Sequence, residues 1–298
     1  MPATARRTIQ VRQQERDKIP GFFSLEQAQK DAAYNNSEAV VDSAERLKDW
    51  ECRSAACREA PSARPDIRYG DKPNNLFDFF PSGGDGAPLF VFIHGGYWHR
   101  NSKEIFGFVS TGPGAHGIDV ATIGYTLAPQ ATLTEIVEEV FQALAFIAAM
   151  SSELGFDPDR IYVGGWSAGG HLATLSANLP MVRGVISISG IFDLEPIAET
   201  YINDELRLQQ SEIETLAPSR NLPVRPIPVA LFVGGDELPE LQRQSREFTE
   251  RACAEHLPVT MMTLAGRNHY TIMEELAAPD GMLTSALIRM IHGSATTG

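Results

Sequence analysis

Short apolar runs, each closed by a glycine or a polar turn, alternate along this chain with segments of helical period. No other feature constrains its fold as tightly. Residues 88–93, 119–125, 160–164, 229–233 and 259–264 are rich in β-branched and apolar side chains and have strand length. Between two of these runs, Leu133, Ile136, Val137, Val140, Phe141, Leu144 and Ile147 recur at helical spacing. They follow Thr132 and Glu135, a capping box in which the threonine oxygen receives a first-turn amide and the glutamate answers back. Pro239 can open a second helix, with Leu241, Ser245, Phe248 and Ala252 on its inward face. Strands that are apolar throughout need both faces covered. The pattern therefore predicts an α/β fold with a mainly parallel, twisted sheet, helices on both faces and right-handed crossovers. A chain of 298 residues with 43% hydrophobic content can build this as a single domain. Two segments lie outside the alternation. Residues 1–64 form an N-terminal extension, read either as part of a lid or as a solvated helical arm. Residues 190–228 carry Tyr201, Leu206, Leu208 and several prolines without a clean strand, and are the candidate short cap.

Gly165-Trp166-Ser167-Ala168-Gly169 follows the run at 160–164 directly. A serine between glycines, at the turn from a buried strand into a helix, is lifted out of the backbone where a substrate can reach it. Ser167 is therefore the candidate nucleophile. A glycine-rich turn that merely packs a helix closely on a sheet is the plainer reading until partners are found. Asp236 and His269 are those partners: each follows a predicted strand, and serine, acid, histidine is the chain order of α/β-hydrolases. Glu237, beside Asp236, is the competing acid. In this scheme His269 takes and returns a proton while Asp236 holds the imidazole tautomer.

His94-Gly95-Gly96-Tyr97-Trp98 stands directly after the run at 88–93. Acyl transfer places negative charge on the former carbonyl oxygen, and backbone amides brought close by glycine can bind it. The amides of Gly95, Gly96 or Tyr97, with that of Ala168, form the expected oxyanion hole. His94 is expected to anchor the loop. Tyr97, Trp98 and Trp166 are the candidate substrate-binding walls, suited to a flat substrate.

Taken together, the His94–Trp98 and Gly165–Gly169 motifs, Gly234-Gly235-Asp236-Glu237 and Asn268-His269-Tyr270 resemble the kynurenine formamidase (arylformamidase) branch of the α/β-hydrolases. Related lipases and esterases usually have a third glycine where this chain has Tyr97, and the Tyr-Trp pair decides the comparison. The resemblance runs from Ala33-Tyr34-Asn35-Asn36 to Glu274-Glu275-Leu276. It takes in Ser189-Gly190-Ile191-Phe192-Asp193-Leu194-Glu195-Pro196 and Arg243-Gln244-Ser245-Arg246-Glu247-Phe248. It implies Ser167, Asp236 and His269 as the triad, with the Gly95-Gly96 loop and Ala168 as the oxyanion hole. Members sharing this loop also include hydrolases of other aryl amides and simple esters, so the chemistry is better fixed than the leaving group.

The expected activity is that of a serine hydrolase without metal or cofactor, acting on small aryl amides, aryl formamides such as N-formylkynurenine first among them. A general carboxylesterase for short-chain esters is the alternative, and a non-catalytic small-molecule binding protein the remote one. A formal charge of −13 argues against nucleic acid as a partner. No run reaches the roughly 18–20 apolar residues of a membrane span, and residues 1–18, with Arg6, Arg7, Arg12 and Arg16, lack the apolar segment of a secretion signal. Cys52, Cys57 and Cys253 are odd in number and irregularly spaced, which points to reduced thiols and a cytoplasmic protein. His94 and His99 are five apart across a loop rather than at helical metal-ligand spacing. Oligomeric state is open, a homodimer included.

Overall fold

A computed structural model describes residues 21–294; Arg6, Arg7, Arg12 and Arg16 lie outside the described residues. Its centre is an eight-stranded sheet in the order β1-β2-β4-β3-β5-β6-β7-β8. The strands are β1 (Arg64–Arg68), β2 (Leu76–Phe80), β3 (Ala87–Ile93), β4 (Asp119–Ile123), β5 (Phe156–Trp166), β6 (Val182–Ile188), β7 (Val229–Gly234) and β8 (Val259–Leu264). β2 pairs antiparallel with β1 and β4, and every other pairing is parallel. The five runs read from sequence are β3, β4, β5, β7 and β8; β1, β2 and β6 complete the sheet.

Side chains alternate between faces along each strand, so a strand covered on both sides feeds two cores. On β3, Leu89, Val91 and Ile93 join one hydrophobic cluster while Phe90 and Phe92 join the other. The helix Leu133–Ala149 starts at the expected capping box, with both of its reciprocal bonds formed. It buries Ile136, Val140, Leu144 and Ile147 in the first cluster, each fully buried side chain contributing roughly 1.5–3 kcal/mol. Leu241, Phe248 and Ala252 of the helix Pro239–Ala254 join the same side, and Leu283, Leu287 and Ile291 of the helix Met282–Ser294 cover the other. The result is an α/β-hydrolase fold, its mostly parallel sheet flanked by helices on both faces.

The segment before β1 contains the helices Gln27–Ala32, Asn36–Ala39 and Ser43–Arg58. The last is polar overall, but its Trp50 is buried, stacked on Phe108 at 5.1 Å and set edge-on against Trp166 at 5.5 Å. Between β6 and β7 lie three short helices, Glu195–Ala198, Asn203–Leu206 and Gln210–Thr215. The two segments meet: Lys30 pairs with Glu199 at 3.0 Å, and the Tyr201 amide donates to Asp31 at 2.8 Å.

Candidate functional site

β5 runs into Ser167, whose φ of 58° and ψ of −120° place it in a strained turn before the helix Ala168–Leu175. Such a conformation costs on the order of 1–3 kcal/mol and persists only where the surroundings enforce it. Here they do. The Ser167 amide donates to the Ile188 carbonyl at 2.8 Å, and a Cβ on Gly169 would lie 2.0 Å from the Ile93 carbonyl oxygen. The helix can therefore press against β3 only with glycine at that position, and the serine at its head is 2% exposed.

His269 follows β8 and is 3% exposed. Its Nδ1 lies 2.8 Å from Oε2 of Glu237, whose carboxylate is wholly buried. The other oxygen, Oε1, accepts from the Ser189 hydroxyl and the Gly234 amide, each at 2.6 Å. A carboxylate with three donors fixes both itself and the ring it holds. The expectation for Asp236 is thereby corrected: its side chain is exposed, and its neighbour holds the imidazole. The turn after β7 is the cause. The Asp236 amide donates to the Arg267 carbonyl at 3.0 Å and that of Glu237 to Gly234 at 3.3 Å, which turns residue 236 outward and residue 237 inward. Ser189, just past β6 with a φ of 52°, is a further site residue that the sequence did not single out.

The loop after β3 approaches the serine closely. A Cβ on Gly95 would lie 2.5 Å from the Trp166 carbonyl oxygen and 3.0 Å from the Ser167 Cβ. Among the described residues no turn, loop or cap hydrogen bond engages the amides of Gly95, Gly96, Tyr97 or Ala168, which leaves them the candidate donors to a bound oxyanion. Tyr97, Trp98 and Asn101 all have positive φ, at 49°, 58° and 66°, so the loop is tightly wound. His94 anchors it. Its ring stacks on Tyr125 at 4.3 Å and donates through Nδ1 to the Gly95 carbonyl at 2.9 Å, while the Tyr125 hydroxyl donates to the His94 carbonyl at 2.9 Å. Burial pushes the His94 pKa down to about 4, so the ring is neutral near pH 7.

Ser167 and His269 line one cavity of about 80 Å³. Its aromatic walls are Tyr97, Trp166 and Tyr270, all buried. Trp166 donates its Nε1–H to the His269 carbonyl at 2.7 Å, and Tyr97 donates its hydroxyl to the Tyr34 carbonyl at 2.6 Å while accepting from Asn36 Nδ2 at 2.9 Å. Trp98 is a correction: it is 0% exposed, belongs to the hydrophobic core, and meets His171 edge-on at 5.0 Å away from the cavity. Asn36, Ser37 and Leu47 bring the N-terminal segment to the cavity edge. Nothing in the two helices that carry them, Asn36–Ala39 and Ser43–Arg58, marks them as lining residues in sequence. Among the described residues no group of three or more His, Cys, Asp and Glu side chains could hold a metal ion, and no helix is long and apolar enough to cross a membrane.

The family model BD-FAE matches residues 79–213, which span the loop after β3 and the serine turn. Among solved structures, a candidate thioesterase from Silicibacter superposes with a TM-score of 0.79 at 28% identity, covering 87% of this chain and 98% of that one. A hyperthermophilic esterase from Pyrobaculum calidifontis superposes with a TM-score of 0.70 at 16% identity, over 84% of this chain and 92% of that one. This chain is a serine-hydrolase-type enzyme of the α/β-hydrolase superfamily. Within that superfamily, the hydrolase is related to more than one subfamily. It is 28% identical to kynurenine formamidase of Danio rerio over 244 residues, 77% of this chain and 82% of that protein. It is 24% identical to isoprenylcysteine alpha-carbonyl methylesterase of Arabidopsis thaliana over 270 residues, 79% of this chain and 63% of that protein.

Proposed function

We propose that this hydrolase cleaves small aryl amides, aryl formamides such as N-formylkynurenine foremost, through an acyl-enzyme on Ser167. The Ser167 hydroxyl attacks the formyl carbon as His269 takes its proton, and Glu237 stabilises the resulting imidazolium. The amides of Gly95, Gly96 or Tyr97 and of Ala168 bind the oxyanion. The C–N bond then breaks as His269 returns the proton to the departing aryl amine. Water, deprotonated by His269, hydrolyses the formyl ester to release formate. The cavity carries this reading. About 80 Å³ is well below the roughly 300–1,000 Å³ of a site for a drug-sized ligand, which suits a small acyl group. Tyr97, Trp166 and Tyr270 offer ring faces to a flat leaving group. In the same proposal, residues 21–64 and 190–228 together cap the site. The free thiols of Cys52, Cys57 and Cys253 suit a reducing cytoplasm.

The second reading is a short-chain esterase, favoured by the methylesterase relative that covers 79% of the chain. Turnover of purified protein over aryl formamides, longer N-acyl anilides and short aryl esters separates the two. Formamides should give the highest kcat/KM, and Ser167→Ala should lower turnover by about a million-fold, as loss of a triad nucleophile does. A fluorophosphonate should label the wild type stoichiometrically and spare Ser167→Ala. Short esters outpacing formamides would replace the formamidase reading with the esterase one, and undiminished turnover in Ser167→Ala would end both.

A further inference from the structure

We propose that Arg100 makes this enzyme selective for substrates that carry a carboxylate on the leaving-group side of the scissile bond. The inference rests on the site described above and deepens its substrate class. The cavity that holds Ser167 and His269 is lined by no carboxylate, and Arg100 is the one permanently charged side chain on it. Arg100 is exposed, so it stands at the rim, whereas Ser167, Trp166 and His269 form a buried floor. Among the described residues its guanidinium has no ion-pair partner. Other arginines of the chain are engaged: Arg53, Arg58 and Arg243 each bridge two carboxylates.

The place of this cation is fixed by the loop that carries the oxyanion donors. The Arg100 amide donates to the Gly96 carbonyl at 2.9 Å, and a Cβ on Gly96 would lie 2.3 Å from the Arg100 carbonyl oxygen. The Arg100 backbone and the Gly96 amide therefore move as one unit. An acyl group seated on the buried floor sends the leaving group outward past the rim, where a five-donor planar cation awaits it. The chain as a whole carries a formal charge of −13, so an anionic substrate is repelled over most of the surface. A lone guanidinium at the entrance offsets that repulsion where it matters.

The test uses matched pairs: carboxyphenyl acetates and carboxyformanilides, each against the corresponding neutral carboxamide. Wild-type enzyme should prefer the carboxylate of each pair by about tenfold in kcat/KM, mostly through KM, and the preference should shrink with added salt. Arg100→Gln should abolish the preference while leaving neutral substrates within about twofold, and Arg100→Lys should restore part of it. Arg100→Glu should invert it. Parallel losses on charged and neutral substrates, or an unchanged preference in Arg100→Gln, would overturn the proposal. The acetate pair keeps the two readings distinct: if formamides are not cleaved, the formamidase reading fails, yet the role of Arg100 is still read from the acetates. Protection of Ser167 from fluorophosphonate by benzoate against benzamide gives the same readout without turnover. Equal protection would count against Arg100.

Discussion

Replacing Glu237 with glutamine exchanges one buried oxygen for an NH2 group at nearly constant volume, and the bonds around the site dictate where that group must go. Oε1 accepts from the Gly234 amide at 2.6 Å, a donor that cannot rotate away, and from the Ser189 hydroxyl at 2.6 Å. Turning the glutamine NH2 toward Gly234 would set donor against donor in a buried site and cost about 1–3 kcal/mol. The amide therefore keeps its oxygen on Gly234 and presents NH2 to His269 Nδ1, now 2.8 Å from a carboxylate oxygen. Facing a donor, Nδ1 must become an acceptor and the ring proton moves to Nε2. A ring protonated there cannot take the serine proton. The loss of turnover expected for this wrong tautomer is about ten-thousand-fold, or about 5.5 kcal/mol of barrier. Asp236→Asn, at an exposed position, should stay within about threefold of wild type. The assay is kcat/KM on an aryl formamide or aryl acetate for both variants, with thermal unfolding to confirm that each is folded. Near-normal turnover in Glu237→Gln together with a collapse in Asp236→Asn would refute this assignment and restore Asp236.

Gly169→Ala should prevent productive folding or strongly lower the melting temperature, because its Cβ would lie 2.0 Å from the Ile93 carbonyl oxygen and 2.7 Å from that of His94; a soluble variant melting within a few degrees of wild type would contradict the packing described. Stability should also fall on acidification. Burial pushes both His94 and His171 down to about 4, against 6.5 in the unfolded chain, so the unfolded state binds more protons between these values. Each ring then removes about 3 kcal/mol as pH drops from 6.5 toward 4. Asp193 acts in the opposite sense: burial raises its pKa to about 6, so its contribution is present at low pH and lost as pH rises through 6. Urea unfolding across this range should show the net decline, and Asp193→Asn should steepen it; a flat profile would sink the assignment of both rings as buried and neutral.

The serine turn, the strands β3, β4, β5, β7 and β8 and the capped helix were legible because each depends on local pattern: an apolar run, two glycines, a threonine three residues before a glutamate. What escaped depends on contacts between distant segments. Asp236 and Glu237 are equivalent in composition, and the choice between them is made by the Arg267 carbonyl, which belongs to another loop. Trp98 and Trp166 look alike as aromatic neighbours of glycine motifs. Yet the left-handed φ values of Tyr97 and Trp98 turn the first indole into the core, while the second reaches His269. The contribution of Asn36 and Ser37 to the cavity was hidden for a similar reason, since they are tied to it by hydrogen bonds with the hydroxyls of Tyr97 and Tyr270, which belong to distant loops.

The indole of Trp166 grips the carbonyl of His269 at 2.7 Å, and Trp166 is joined by a peptide bond to Ser167. The proposed nucleophile and base are thus fastened to each other through main chain and one ring. In the proposed function, passage of substrate and product then falls to the two segments proposed to cap the site, and altered substrate choice can be written there, or at the rim, without disturbing the two atoms proposed to exchange the proton.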